Sequence, residues 1–228
     1  MGKSVSYGRE GNVSTIVIDD GKANAMSVAT MNEVNAALDQ AKEDRTVVVL
    51  AGREGLFSAG FDLAVFKQGP GPLGEMLRTG GELNARILSF PRPVIAACTG
   101  HAIAMGSFLL LSCDYRIGAD GPFRIGMNEV AIGLTVPHFA LEVTRQRIPV
   151  QYLSRAALLA EIFSPEDAVA AGFLDRVVPA GDVLTVAQER ARAISELDMT
   201  AHEETKKRVR SAIAERVSRV TQEEFAAG

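Results

Sequence analysis

Cysteine is scarce in this 228-residue chain: Cys98 and Cys113 are the only two, and both lie inside apolar stretches, "VIAACTG" and "LLLSCDY". Free cysteine is among the most buried residue types, so the pair reads as reduced core thiols rather than a disulfide framework. No stretch approaches the ~20 apolar residues that cross a membrane. The opening "MGKSVSYGREG" also lacks the apolar run of a secretory leader. Blocks of one charge are missing too. Lys and Arg total 24 against 28 Asp and Glu, scattered for a formal net charge of -4, which argues against nucleic acid as a partner. The expectation is a soluble, cytoplasmic protein that meets neither nucleic acid nor membrane. "MGKSVS" fits the pattern M-G-x-x-x-[ST] for myristoylation, but with no other membrane cue the match is read as chance.

What the chain does have is apolar residues, 47% of the total, enough to bury one full core. "NVSTIVIDD" (12 to 20) reads as a strand. Residues 27 to 43 read as a helix, with Ser27 as N-cap and Met31, Val34, Leu38 and Ala41 on one face. The run Val47, Val48, Val49, Leu50 has the continuous β-branched character of a strand buried on both faces. A Gly/Pro-rich loop, "KQGPGPLG", precedes a helical stretch to about Leu88. "RPVIAAC" is a second buried strand, "GHAIAMGSFLLLS" turns into an apolar helix, and "DYRIGAD" and "GPFRI" read as short strands. Alternating strands and helices predict an α/β fold with parallel strands over residues 1–150. From Gln151 onward only helical patterns are read, so residues 151–228 are expected to form a helical C-terminal region.

Two stretches share one design. "VVVLAGREGLFSAGF" and "VIAACTGHAIAMGSF" each run from a buried strand through small residues toward a helix. Without bulky side chains, a reacting atom can approach backbone N–H groups closely, and the first turn of a helix leaves those groups unpaired. Two such donors converging on one point form an oxyanion hole. The same small residues also suit close packing of helix on strand.

The chain resembles the crotonase (enoyl-CoA hydratase/isomerase) family along most of its length. The resemblance rests on "ANAMS" for the acyl-CoA-binding N-A-[LM] element, "FSAGFDL" for F-x-A-G-x-D-L, "RPVIAACTGHAIAMGSFLLLSCDYRIGAD", "FRIGMNEVAIGL" and "SPEDAVAAGFLDRVVP". It implies a crotonase-like spiral of ββα units, assembly as a homotrimer or dimer of trimers through a C-terminal trimerisation and lid region, and an acyl-CoA substrate. No cofactor and no metal are implied. By position, the oxyanion donors are the backbone N–H groups of Phe61 and Met105. Met105 stands where the family has a glycine, so its side chain is expected to narrow the site or alter the backbone angle. Ala23, Ala25, Met26, Ala59, Gly60, Asp62 and Leu63 fall on CoA-binding positions.

Family hydratases carry two glutamates. Here the first position is Phe108 and the second Glu129. Hydration needs one group to activate water and another to deliver a proton, whereas moving a double bond from C3 to C2 needs one base. The stretch "SCDYRIGADGPFRIGMNEVAIGL" is most similar to mitochondrial-type Δ3,Δ2-enoyl-CoA isomerases, which implies Glu129 as sole acid/base. Alternatives are hydration, thioester hydrolysis or a non-catalytic CoA-binding role; His101, His138 and Glu142 are the remaining polar candidates near the site. Phe66, Phe108 and His138 are candidate walls of the acyl pocket, with Leu77 and Phe139 as further apolar candidates. Asp62 and Asp114 are read as braces of their turns.

Overall fold

A computed structural model of the chain describes residues 3–226, so Gly2 of the myristoylation pattern lies outside the described residues. The first half runs β1 (Val5–Glu10), β2 (Val13–Ile18), β3 (Ala25–Met26), α1 (Val28–Glu43), β4 (Val47–Gly52), β5 (Gly55–Ser58), β6 (Gly60–Phe61) and α2 (Pro70–Ser89). It continues through β7 (Val94–Cys98), β8 (Gly100–Ile103), α3 (Met105–Ser112), β9 (Tyr115–Ala119), β10 (Ile125–Gly126) and α4 (His138–Arg145). The last third holds α5 (Val150–Ala157), β11 (Ile162–Phe163), α6 (Pro165–Ala170), β12 (Arg176–Val178), α7 (Val183–Ser195) and α8 (Met199–Glu224).

The strands separate into a main sheet, in the order β1-β2-β4-β7-β9-β12, a smaller one, in the order β11-β10-β8-β5, and the two-stranded pair β3-β6. Each repeat places one strand in the main sheet, turns into a second strand and closes with a helix: β4-β5-α2, β7-β8-α3 and β9-β10-α4. The repeats stack in parallel, β4 on β7 and β7 on β9 in one sheet, β5 on β8 and β8 on β10 in the other. Every residue of β4 and β7 is buried. Alternate side chains serve opposite layers: Val48 and Leu50 face the core under α1, whereas Val47, Val49 and Ala51 meet Val183, Ala187 and Ala191 of α7. A period of two on a doubly covered strand leaves no polar position. The N-cap read at Ser27 is present, its hydroxyl accepting from the Thr30 N–H at 3.1 Å.

Beyond Gln151 the chain is not purely helical. β12 pairs with β9 at the edge of the main sheet, β11 pairs with β10, and α7 covers one whole face of the main sheet. The sheet layers therefore run past residue 150. Strands of two and three residues are too short to show a period, which is why no strand pattern shows there in the sequence. α8 lies across α2 and α4, pinned by Lys206 to Asp114 at 2.5 Å and by Arg216 to Glu142 at 2.7 Å. Asp114 also accepts the Val94 N–H at 2.8 Å, so it braces the start of β7 rather than its own turn.

Candidate active site

The two small-residue turns interlock. Gly60 has φ +103°, a conformation that side-chain-bearing residues rarely adopt, and a Cβ there would stand 2.9 Å from Ala104 Cβ, 3.0 Å from Ile103 O and 3.6 Å from Met105 N. A Cβ on Gly106 would lie 2.7 Å from Ser58 O. The small residues thus pack the turns tightly against each other, and that packing brings Phe61 beside the N-terminus of α3. In the first turn, the Ala59 N–H donates to Ala23 O at 3.0 Å and the Gly60 N–H to Ser58 Oγ at 3.1 Å; Phe61 follows in β6, paired with β3. In the second, Met105 opens α3, where a helical N–H has no partner within the helix. Ala104, just before it, holds φ 49° and ψ -119°, an unusual conformation for alanine that turns the chain sharply out of β8. Its N–H donates to Gly126 O at 2.9 Å, tying this turn to the strand that leads to Glu129.

A cavity of about 210 Å³ opens beside the turns. Leu63, Phe66, Leu73, Leu77, Ile132 and Leu134 give it an apolar wall; Ala59, Phe61, Ala104, Asn128, Glu129, Thr135 and Pro137 complete it. Among the described residues, Glu129 is the one titratable side chain in this lining. It stands at the N-cap position of the 3-10 turn Val130–Ile132, but its side chain makes no capping hydrogen bond there. It is 5% exposed, and both carboxylate oxygens are buried without a hydrogen-bond partner. Desolvation disfavours the charged form and pushes its pKa up to about 7, while the nearby N–H groups of Glu129 and Asn128 pull weakly the other way without the alignment of a hydrogen bond. An unpaired acid held near neutrality in an apolar cavity is suited to take up a proton and give it back.

The same burial makes a stability prediction. An acid whose pKa is higher in the folded chain than its ordinary 4.5 keeps the native state more protonated between pH 4.5 and about 7. Stability attributable to Glu129 therefore falls as pH rises through that window and levels off above it. The shift corresponds to about 3 kcal/mol. Urea unfolding of wild type and Glu129→Gln at pH 4 and pH 8 should show the difference moving in the variant's favour by roughly that amount. A pH-independent difference would mean that Glu129 ionises freely in the folded protein.

Other sequence-based site residues fall differently. Ala59 and Leu63 line the cavity, and so do Phe66 and Leu77. Phe108 does not: it is fully buried and turns its ring edge-on to Phe139 of α4, with centroids 6.1 Å apart. His138 does not line it either. The first residue of α4, it is exposed and donates its backbone N–H to Glu224 Oε2 at 2.8 Å, facing the end of α8. Met26 is fully buried in the core, which removes it from any CoA-contacting surface; Ala23 is exposed and Ala25 half-buried. Asp62 accepts the Ala64 N–H at 2.9 Å, a turn brace as read. Glu142 is engaged by Arg145 and Arg216, and His101 Nδ1 accepts the Arg124 N–H at 3.0 Å, so neither reaches the cavity.

The Met105 side chain does not narrow the site. It is fully buried and lies against α2, away from the cavity lining. The sequence reading also passed over Asn24, buried at φ 48°. Its side-chain amide donates to Ile18 O at 2.8 Å and Phe57 O at 3.2 Å, and its backbone carbonyl accepts the Ser58 hydroxyl at 2.8 Å, joining β2, β5 and the first turn. The signal was there: asparagine between small residues is the side chain that best tolerates a left-handed backbone while bonding locally.

A profile of the enoyl-CoA hydratase/isomerase family matches residues 8–226. The chain is 30% identical to mouse mitochondrial enoyl-CoA delta isomerase 1 over 176 residues, 75% of this chain and 61% of the mouse protein. It is 35% identical to a probable enoyl-CoA hydratase of Bacillus subtilis over 158 residues, 68% of this chain and 59% of that protein. The chain thus spans about three fifths of the length of these two relatives. A solved structure from Mycobacterium tuberculosis superposes with a TM-score of 0.94 at 41% identity, covering 99% of both chains; that protein is described in one structure as an enoyl-CoA isomerase and in another as a probable enoyl-CoA hydratase.

Proposed function

This chain belongs to the enoyl-CoA hydratase/isomerase family and has the crotonase fold, and on that premise we propose that it is a Δ3,Δ2-enoyl-CoA isomerase with Glu129 as its single acid/base. The observation that carries the proposal is the cavity lining, in which Glu129 is the sole titratable side chain among the described residues. Its carboxylate takes a proton from C2 of a 3-enoyl-CoA. The electrons move into the thioester carbonyl, and the N–H groups of Phe61 and Met105 hold the resulting enolate oxygen. The protonated Glu129 then returns the proton at C4, leaving the double bond between C2 and C3 and the carboxylate restored. No water enters, and none is required.

Hydration needs a second acid or base at the acyl chain. Phe108 holds the position where family hydratases carry it and is packed against Phe139 instead. Acyl-CoA as substrate without further cofactor or metal, assembly as a homotrimer or dimer of trimers, and action in the cytoplasm belong to the same proposal. No helix is long and apolar enough to cross a membrane among the described residues.

Because the base must be ionised to act, kcat/KM for a 3-enoyl-CoA should rise as pH increases through about 7 and then level off. Stopped-time assays from pH 5 to pH 9 check this. A profile flat across pH 5 to 8 would assign proton transfer to another group.

A further inference from the structure

The side chains of both oxyanion-donor residues rest on the same turn of α2. A Cβ placed on Gly80 would stand 2.8 Å from Cε1 and Cζ of the Phe61 ring and 3.4 Å from Met105 Sδ. One turn later, Asn84 donates through Nδ2 to Met105 Sδ at 3.4 Å and to Gly80 O at 2.8 Å, while its Oδ1 faces the Ser112 hydroxyl at 2.6 Å. Asn84, Met105 and Ser112 are each fully buried. The Gly80 carbonyl needs a donor, which sets the amide orientation and turns Oδ1 toward the Ser112 hydroxyl; that hydroxyl also lies 2.9 Å from Phe108 O. Met105 and Ser112 are the first and last residues of α3, so one buried amide grips that helix at both ends.

We propose that Asn84 is the positioning residue of the oxyanion hole, using the Met105 thioether as a handle to fix the first N–H of α3 relative to Phe61. This rests on the assignment of the hole but not on the identity of the reaction. A glycine at position 105 would leave its backbone to the turn alone. Methionine adds a side chain that reaches away from the cavity and is held by a hydrogen bond, so the departure from the family's glycine supplies a constraint instead of an obstruction. A thioether is a weak acceptor, and the bond contributes little as an attraction. Its consequence is geometric, because donors act on an oxyanion only when held within about 0.5 Å of the productive position. Gly80 serves the same end. Any side chain there would press on the Phe61 ring and push the two donors apart.

The test uses Asn84→Leu, which keeps the bulk and removes the amide, and Met105→Leu, which removes the sulfur. Two readouts apply. With 3-enoyl-CoA, Asn84→Leu should lower kcat by ~10-fold or more with KM changed less than about twofold, since a misplaced donor weakens the transition state more than the bound substrate. The double variant should be no slower than the slower single variant, as expected for groups acting as one unit. The second readout is acetoacetyl-CoA, which ionises to an enolate with its own near-ultraviolet absorbance and tests the hole without any proton transfer by Glu129. Its apparent pKa when bound should rise by about one unit in Asn84→Leu, matching a tenfold loss of enolate stabilisation. An enolate weakened by either variant supports the proposal even in a protein that leaves 3-enoyl-CoA unchanged, an outcome that would overturn the isomerase reading alone. If Asn84→Leu does not fold, Met105→Leu carries the test. Unchanged enolate absorbance in both variants overturns the proposal, and absence of any enolate with wild type overturns it together with the hole.

Discussion

Glu129→Gln lowers turnover of a 3-enoyl-CoA by ~10²–10⁴-fold, the usual range for loss of a general acid/base, while acyl-CoA affinity stays within a few-fold. The separation follows from geometry. The carboxylate lies at the cavity wall with no partner to lose, so an amide of the same shape removes the proton carrier without rearranging its neighbours. The cavity's apolar wall, from Leu63 to Leu134, is untouched. Removing a buried, hard-to-ionise acid also relieves a cost of folding, so above pH 7 the inactive variant should gain the stability described above. Loss of activity with a pH-dependent gain in stability is a joint signature that a purely structural glutamate would not give. Turnover near the wild-type rate would show that Glu129 is not the base.

Gly60→Val depresses turnover by ~10²–10³-fold in protein that still folds, the loss expected for one oxyanion donor. Valine at φ +103° is strained before any neighbour is considered, and its Cβ would meet Ala104 Cβ at 2.9 Å and Ile103 O at 3.0 Å. Both neighbours belong to the opposing turn, so relief requires that the turns separate. The Phe61 and Met105 N–H groups proposed as the oxyanion hole would then be displaced. Stability should fall as well, because Gly60 is buried between the turns. Circular dichroism and thermal unfolding separate the folded, slow variant from an unfolded one. A folded Gly60→Val with normal kinetics would reduce the paired turns to packing elements.

Much of this was legible in the sequence wherever a pattern was long. The all-apolar runs of β4 and β7 could only be strands covered on both faces, and Ser27 marked the start of α1. The turns were legible as small-residue motifs: of their two readings, close packing is what Gly60 and Gly106 permit, and anion binding by the Phe61 and Met105 N–H groups belongs to the proposed function. Direction was the part that residue identity could not give. Phe108 and Met105 sit on α3, which is buried on every side, so no polar face showed which side chain meets the cavity and which meets α2 or α4. The orientation is decided by Asn84 and Phe139, 21 and 31 residues away along the chain. His138 failed for a related reason, since at the start of a helix one residue's rotation moves the cavity-facing position to Pro137. β11 and β12 were missed because two or three residues carry no period; only their partners β10 and β9 define them.

One carboxylate in an apolar cavity is proposed to shift a double bond without handling water. The most direct measurement is product analysis by mass spectrometry after separate incubations of wild type with a 3-enoyl-CoA and the corresponding 2-enoyl-CoA. Rapid conversion of the 3-enoyl thioester to its 2-enoyl isomer at unchanged mass is expected, with little gain of one water from the 2-enoyl thioester. Efficient formation of 3-hydroxyacyl-CoA from the 2-enoyl substrate, with the 3-enoyl substrate left unchanged, would contradict it.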